Sequence, residues 1–397
     1  MKKIYLSQAK SQIARHNTIR EINKRIVLNY VRVRSPISRA DIARETSLQR
    51  STVSAIVDAL VTADLIEEIG AGNSTGGRKP TMLKLKTGIP VAIGVDITPR
   101  ETTIVLADLG GNFLRMDSFP TSSDIDYMNE QIISKVSAYA LEKTAFGLEV
   151  GISVPGITDQ KTGEILYIPY FNWSNWDIAK QITKATSLPV TIDNDANAVA
   201  LAELWFGDDE IRQAHNFVMI MVAEGIGTGI VIDGAVYRGE DGAAGEFGHM
   251  YVGDNAPVQC SCGSRDCWEA HASENAIISR YRASSLSPQS GTMNMEQLIS
   301  LAANGEKHAM RTFKETAAYL GIGISNLIIG FSPETVVLSG VVLKAWDFLK
   351  DDVYKYSQRS IRTKLSPARI VPSTLGESPT TLGAICLVLS KKFVSAT

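Results

Sequence analysis

The sequence predicts an α/β body of two similar halves, preceded by an N-terminal winged helix-turn-helix domain. Three observations carry this reading: helix-periodic apolar spacing in the first part, strand and turn alternation past Thr87, and a reversal of charge between the two. The length agrees, because 397 residues exceed what one typical core holds. Composition, at 44% apolar and 21% charged, is that of a globular protein and excludes disorder, collagen and coiled coil. Residues 1–90 carry 16 Lys/Arg against 7 Asp/Glu, a balance of +9, which leaves −11 for the remainder. A basic module on an acidic body is the footprint of a nucleic-acid binder with a second function; unevenly solvated surface charge is the alternative. No stretch approaches the roughly 20 apolar residues of a membrane span. The start MKKIYLSQAKSQ has no apolar signal-peptide core, so the expected location is cytoplasmic, without membrane insertion.

In chain order, Ile19, Ile22, Ile26, Val27 and Tyr30 recur at three- and four-residue steps and predict a first helix over Asn17–Val33. Ser35-Pro36-Ile37 breaks it, and Ser38 with Asp41 offers an N-cap for a short helix, Arg39–Glu45. After Thr46-Ser47-Leu48 comes a second short helix, Arg50–Leu60, with Val53, Ile56, Val57 and Leu60 facing inward. Such a pair makes a helix-turn-helix, whose second helix enters the major groove by its N-terminal part. Gln49, Arg50, Ser51, Thr52 and Ser54 are therefore the candidate DNA contacts on the recognition helix. Any amphipathic helix pair shows this spacing, so the next segment decides. Leu65–Ile69 and Met82–Leu85 read as strands around a glycine-rich basic loop, 70–80, which is a wing. Arg78 and Lys79 on that loop are candidates for phosphate or minor-groove contact, a solvated hairpin tip being the bland reading.

Within the body, Ala92–Gly111 and Val218–Gly234 resemble each other, each a strand, a tight turn, a second strand and a turn. Two similar halves imply a cleft between them, where ligands tend to bind. Cys260, Cys262 and Cys267 crowd into eight residues, while Cys386 sits in the apolar run LGAICLVL. That usage favours a metal site over a disulfide framework. His249 with the three cysteines supplies one imidazole and three thiolates, a set that suits tetrahedral, structural zinc with no open position; buried free thiols are the alternative.

Several motifs together carry a resemblance: Ser38-Arg39-Ala40, Thr52-Val53-Ser54, Gly76-Gly77-Arg78-Lys79-Pro80, Ser153-Val154-Pro155-Gly156, Asp193–Ala198, Gly225–Gly229, Gly245–His249 and Cys260–Glu269. From about Asn17 to Leu389 the chain resembles the ROK family (repressors, open reading frames and sugar kinases), and within it the NagC/XylR-type repressors. The resemblance implies a sugar-kinase, actin-like ATPase architecture for the body. It places a winged helix-turn-helix in 1–87, the first half in 88–195 and the second half with the zinc segment in 196–397, the C-terminal helix packing back on the first half. It also implies sugar contacts from Asn194, Asp195, Glu246, His249 and Glu269, with Asp195 matching the kinase base; Asn194 and Asp195 could instead simply cap a helix.

Two departures from the family pattern bear on function. The Asp-x-Gly-Gly-Thr turn of the kinases reads Asp96-Ile97-Thr98-Pro99-Arg100-Glu101-Thr102, where proline removes an amide donor and Glu101 adds negative charge. The late nucleotide segment is reduced to Ser339-Gly340-Val341-Val342, although Gly225–Gly229 survives, for nucleotide or for structure alone. The expectation is therefore a repressor of carbohydrate metabolism, released from or directed to operator DNA by a sugar effector, with an ATP-dependent sugar kinase as the alternative. A homodimer or higher oligomer is implied by the resemblance, and docking of the acidic body onto a protein partner is a third possibility. Tyr170, in Pro169-Tyr170-Phe171-Asn172-Trp173, stands where the family has an amide and points to an altered sugar pocket.

Overall fold

Ser38 starts the helix-turn-helix by accepting the Asp41 amide at 3.2 Å, while its hydroxyl donates to the Asp41 carboxylate at 2.6 Å. The computed structural model describes residues 16–71, 79–142, 144, 147–284, 293–358 and 367–393. In the N-terminal unit these include α1 (His16–Arg34), β1 (Ile37–Ser38), α2 (Arg39–Thr46), α3 (Arg50–Thr62), β2 (Ile66–Ala71) and β3 (Thr81–Leu85). The strands order as β1-β3-β2, all antiparallel, so the β2–β3 hairpin carries β1 on its edge. Val53, Ile56, Val57 and Leu60 of α3 are buried, as their spacing predicts. Arg39 ties α2 to Asp58 of α3 at 2.7 Å and to Glu68 of β2 at 3.0 Å.

The body begins with β4 (Ala92–Ile97), β5 (Glu101–Ala107), β6 (Phe113–Pro120), α4 (Ile125–Ala140) and β7 (Glu149–Val154). It continues through a small sheet of β8 (Ile157–Asp159), β9 (Glu164–Ile168) and β10 (Trp173–Trp176) to α5 (Ile178–Thr186) and β11 (Val190–Asn194). The second half opens with α6 (Asp195–Phe206) and α7 (Asp209–Gln213), then β12 (Phe217–Val222), β13 (Ile226–Ile232) and β14 (Ala235–Tyr237). After it come α8 (Trp268–Ala272), α9 (Glu274–Ser284), α10 (Met295–Ala303), α11 (Lys307–Phe331), β15 (Thr335–Ser339), α12 (Trp346–Ser357), β16 (Arg369–Pro372) and α13 (Pro379–Phe393).

The two large sheets share one topology. The first runs β6-β5-β4-β7-β11 and the second β14-β13-β12-β15-β16, each a three-stranded antiparallel meander followed by two parallel strands. The similarity between Ala92–Gly111 and Val218–Gly234 is thus the β4–β5 hairpin repeated as β12–β13. Both β4 and β12 are buried at every position, as strands covered on two faces must be.

Between the sheets lie two helices packed on each other, α13 against β4, β7 and β11, and α6 against β12 and β13. Both approach closely because of glycine: a Cβ on Gly151 would overlap the Ala384 carbonyl oxygen, and one on Gly229 the Ala196 carbonyl oxygen. The N-terminal unit joins this layer without a break. Val27, Val31, Leu60 and Leu83 belong to one apolar core with Trp205, Ile385, Leu389 and Phe393. Among the described residues no helix is long and apolar enough to cross a membrane.

Candidate functional site

A cleft of about 410 Å³ opens between the halves, walled by Pro155, Gly156 and Tyr170 on one side and by Gly225, Glu246, His249 and Glu269 on the other. Asn194 and Asp195 enter it where β11 ends and α6 begins. Asn194 is the N-cap of α6, accepting from the amides of Ala196 at 2.9 Å and Asn197 at 3.3 Å, while its Nδ2 donates to the Gly156 carbonyl at 3.1 Å. Its side chain therefore organises the cleft wall. Asp195, one residue on, lies among carboxylates. Burial pushes it up to about 8, against the Ala196 amide that it accepts, and the charges of Asp96, Glu246 and Glu224 push the same way as burial.

Glu246 and His249 come from a tight turn that presses on β13, Gly248 lying so close that a Cβ would overlap the Ile226 carbonyl oxygen. His249 faces two ways. Its Nδ1 lies 3.2 Å from Cys260 Sγ, and its Nε2 lies 3.6 Å from Glu246 Oε2 at the cleft. Cys260 and Cys262 sulfurs are 3.2 Å apart, those of Cys262 and Cys267 are 3.8 Å apart, and all four donor atoms lie within 4.8 Å of one another. Bonds of ~2.3 Å from zinc to sulfur in a tetrahedron set the sulfurs ~3.8 Å apart, so this donor set fits a metal ion. Glu269, two residues beyond Cys267 on α8, accepts from Cys260 Sγ at 2.9 Å and from Ser261 at 3.0 Å. The cysteine segment and the cleft are one unit. Tyr170 closes the corner opposite: a Cβ on Gly225 would sit 2.7 Å from Glu269 Oε2 and 2.8 Å from the Tyr170 hydroxyl, and burial pushes that phenol up.

Beside the cleft, the β4–β5 turn carries Arg100, whose guanidinium crosses to the second half and pairs with Glu224 at 2.8 Å and Glu274 at 3.8 Å. Burial and the neighbouring Glu224 push Glu274 up to about 7, Arg100 opposing them. Asp96 accepts the hydroxyls of Thr380 at 2.6 Å and Thr381 at 2.8 Å, and burial pushes it up to about 6 despite both. The surviving glycines of β13 have a packing role: Cβ atoms at Gly227 and Gly229 would collide with Ala196 and Ala200 of α6. Gly340 likewise has φ +112° and lies against the Val222 carbonyl oxygen.

In the N-terminal unit, Gln49, Arg50 and Ser51 are exposed at the start of α3, with Thr52 and Ser54 half-buried beside them. Lys79 is exposed at the foot of the wing; Arg78 lies outside the described residues. Sequence reasoning missed Glu224, Glu274, Thr380 and Thr381, and it also missed Arg238, which holds the buried Asp193 at 2.8 Å. The only trace of Glu224 and Glu274 in the sequence was their partner's turn, Thr98–Glu101, with its loss of glycine.

A Bacillus subtilis (strain 168) protein named xylose repressor is 30% identical over 383 residues, 95% of this chain and 97% of its own length. A solved ROK family transcriptional regulator, described as a homolog of the E. coli MLC protein, superposes over 96% of this chain and 100% of its own with TM-score 0.77 and 28% identity. A ROK family glucokinase from Streptomyces griseus, solved with glucose and AMPPNP, covers 76% of this chain and 99% of its own with TM-score 0.66 and 25% identity. A model of the ROK family matches residues 92–391, from the start of β4 to two residues short of the end of α13, and so covers the cleft and the cluster of His249 with the three cysteines. The chain belongs to the ROK family.

Proposed function

We propose that this protein is a DNA-binding repressor of carbohydrate metabolism whose hold on its operator is set by a sugar in the cleft. The observation that carries the reading is one chain in which a helix-turn-helix unit shares its core with a ROK body, and whose cleft gathers Asp195, Glu246, His249 and Glu269. A polyol needs several fixed acceptors, and these residues supply them, Asp195 from the start of α6, Glu246 and His249 from a tight turn and Glu269 from α8. Gln49, Arg50, Ser51, Thr52 and Ser54 read the major groove in this proposal, with Arg78 and Lys79 holding phosphate or minor groove from the wing. A homodimer would present two such units to a pseudo-palindromic site.

His249, Cys260, Cys262 and Cys267 would hold zinc, which when bound supplies a closed structural shell and an orienting bond to His249. His249 then presents Nε2 toward the cleft in a set direction. Against phosphoryl transfer stands Arg100, paired to Glu224 and Glu274 in a turn without the phosphate-cradling glycines, and Asp96, engaged by two threonines. The glucokinase likeness and the raised Asp195 are what favour the kinase reading.

The relative named xylose repressor makes D-xylose the first sugar to try, followed by D-glucose and N-acetyl-D-glucosamine. The full chain should show a raised melting temperature with one of them and a changed affinity for duplex DNA selected from a random library. ATP with the same sugars should yield no sugar phosphate. Turnover abolished by Asp195→Asn would overturn the repressor reading in favour of a kinase, and DNA affinity indifferent to all three sugars would overturn the switch.

A further inference from the structure

We propose that Arg32 is the contact by which the DNA-binding unit reads the state of the cleft, with α6 and α13 as paired rods that carry the displacement to it. The inference rests on the function proposed above and supplies its regulation. Each rod has one end at the cleft side of the body and the other against α1. Helix α6 starts with Asn194 and Asp195 in the cleft wall and ends at Trp205 and Phe206; its 12 residues span ~18 Å. Helix α13 starts with Thr380 and Thr381 on Asp96, in the strand that leads to the Arg100 turn, and ends at Phe393. Neither end is near its partner in sequence.

Arg32 of α1 meets both far ends at once. Its Nη1 donates to the Trp205 carbonyl at 3.1 Å, and its guanidinium carbon lies 4.2 Å from the Trp205 ring centre and 5.5 Å from that of Phe393. The two rings are themselves 5.2 Å apart. Asn29, one turn earlier on α1, accepts from Nε and Nη2 at 3.1 Å each and fixes the plane of the group. Burial lowers the Arg32 pKa to about 10, so the charge sits in a desolvated seat where geometry matters more than on a surface.

Helix α6 can transmit because it is stiff, and α13 packs directly on it where Gly383 meets Ala198. No glycine or proline interrupts α6, most of its residues are buried, and it lies directly on the backbone of β13 at Gly229. Apolar neighbours around α1 tolerate sliding, but a flat cation bonded to one carbonyl and stacked on one indole does not. A shift of α6 along its axis when a sugar engages Asp195 would therefore move Arg32. With it goes α1, whose Val27 and Val31 share a core with Val57 and Leu60 of the recognition helix.

The test uses the full chain as parent, Arg32→Ala and Arg32→Lys. Operator affinity is measured with and without saturating D-xylose, D-glucose or N-acetyl-D-glucosamine, alongside the melting shift each sugar produces. In the parent an active sugar changes operator affinity about tenfold or more, within the usual range for coupled sites. In Arg32→Ala the melting shift stays and sugar-free operator binding holds within about threefold, while the sugar-dependent ratio falls close to one. Arg32→Lys falls between, since a lysine keeps the charge without the flat stack. A parental ratio in Arg32→Ala overturns the assignment alone; if that variant does not fold, a parental ratio in Arg32→Lys overturns it. A parent that responds to no sugar overturns the proposed function, and this inference falls with it.

Discussion

Glu203 sits on α6, wholly buried, one turn before the end that meets the DNA-binding unit. Burial pushes its carboxyl up to about 7 against the Ser373 hydroxyl, and the charge of Asp208 adds to the rise. An unfolded glutamate ionises near 4.5, so between that pH and 7 the folded state keeps a proton that the unfolded state has released. Stability from this group is complete at low pH, falls as the pH rises to about 7, and stays low above it. Glu203→Gln should therefore stabilise the chain by roughly 1–3 kcal/mol at pH 8 and by little at pH 4. Urea midpoints of parent and variant at both values check this, and an equal gap at the two would sink it. Asn194 shows a different residue-scale lesson. Its type and place suit either a helix cap or a sugar contact, and the structure assigns both ends of its amide to protein groups.

At the scale of elements, the segment from His249 to Glu269 holds little regular structure beyond the short helix α8 and gathers four potential metal donors. If zinc binds there as proposed, its binding is coupled to local folding. Chelation of the full chain, or Cys262→Ser, should lower the melting temperature by several degrees and abolish the sugar-induced shift, because His249 and Glu269 lose their fixed positions. Elemental analysis showing no zinc in the purified chain, or a melting shift by sugar that survives chelation, would reject the assignment. The spacing of the cysteines made this element legible because ligand geometry is local, closing within eight residues and one histidine. The glycines of β13 were ambiguous in sequence, since a phosphate loop and a helix seat both call for a missing Cβ; the structure shows that Gly227 and Gly229 seat α6.

For the whole molecule, residues 1–90 carry a balance of +9 and the remainder −11, and in the proposed function that asymmetry would draw DNA to the N-terminal unit. Lys79→Ala should weaken operator binding across sequences and reduce the slope of log affinity against log salt by about one, whereas Arg50→Ala should weaken binding and relax the sequence preference at the bases it reads. Titrations at several salt concentrations and on base-substituted sites measure both, and an unchanged slope for Lys79→Ala with an unchanged preference for Arg50→Ala would remove these residues from the interface. The helix-turn-helix, its cap at Ser38, the strands of the β2–β3 hairpin, the duplicated hairpins and the convergence of His249 with the three cysteines were all readable in advance. Each is encoded by neighbours in the chain through helix period, strand alternation and ligand spacing. Contacts of another kind waited for the tertiary structure: Arg100 on Glu224 and Glu274, Thr380 and Thr381 on Asp96, and Arg32 on Trp205 and Phe393. They join residues of ordinary type more than a hundred positions apart, and such residues carry no signal until folding removes the water between them and makes their charges and hydroxyls count.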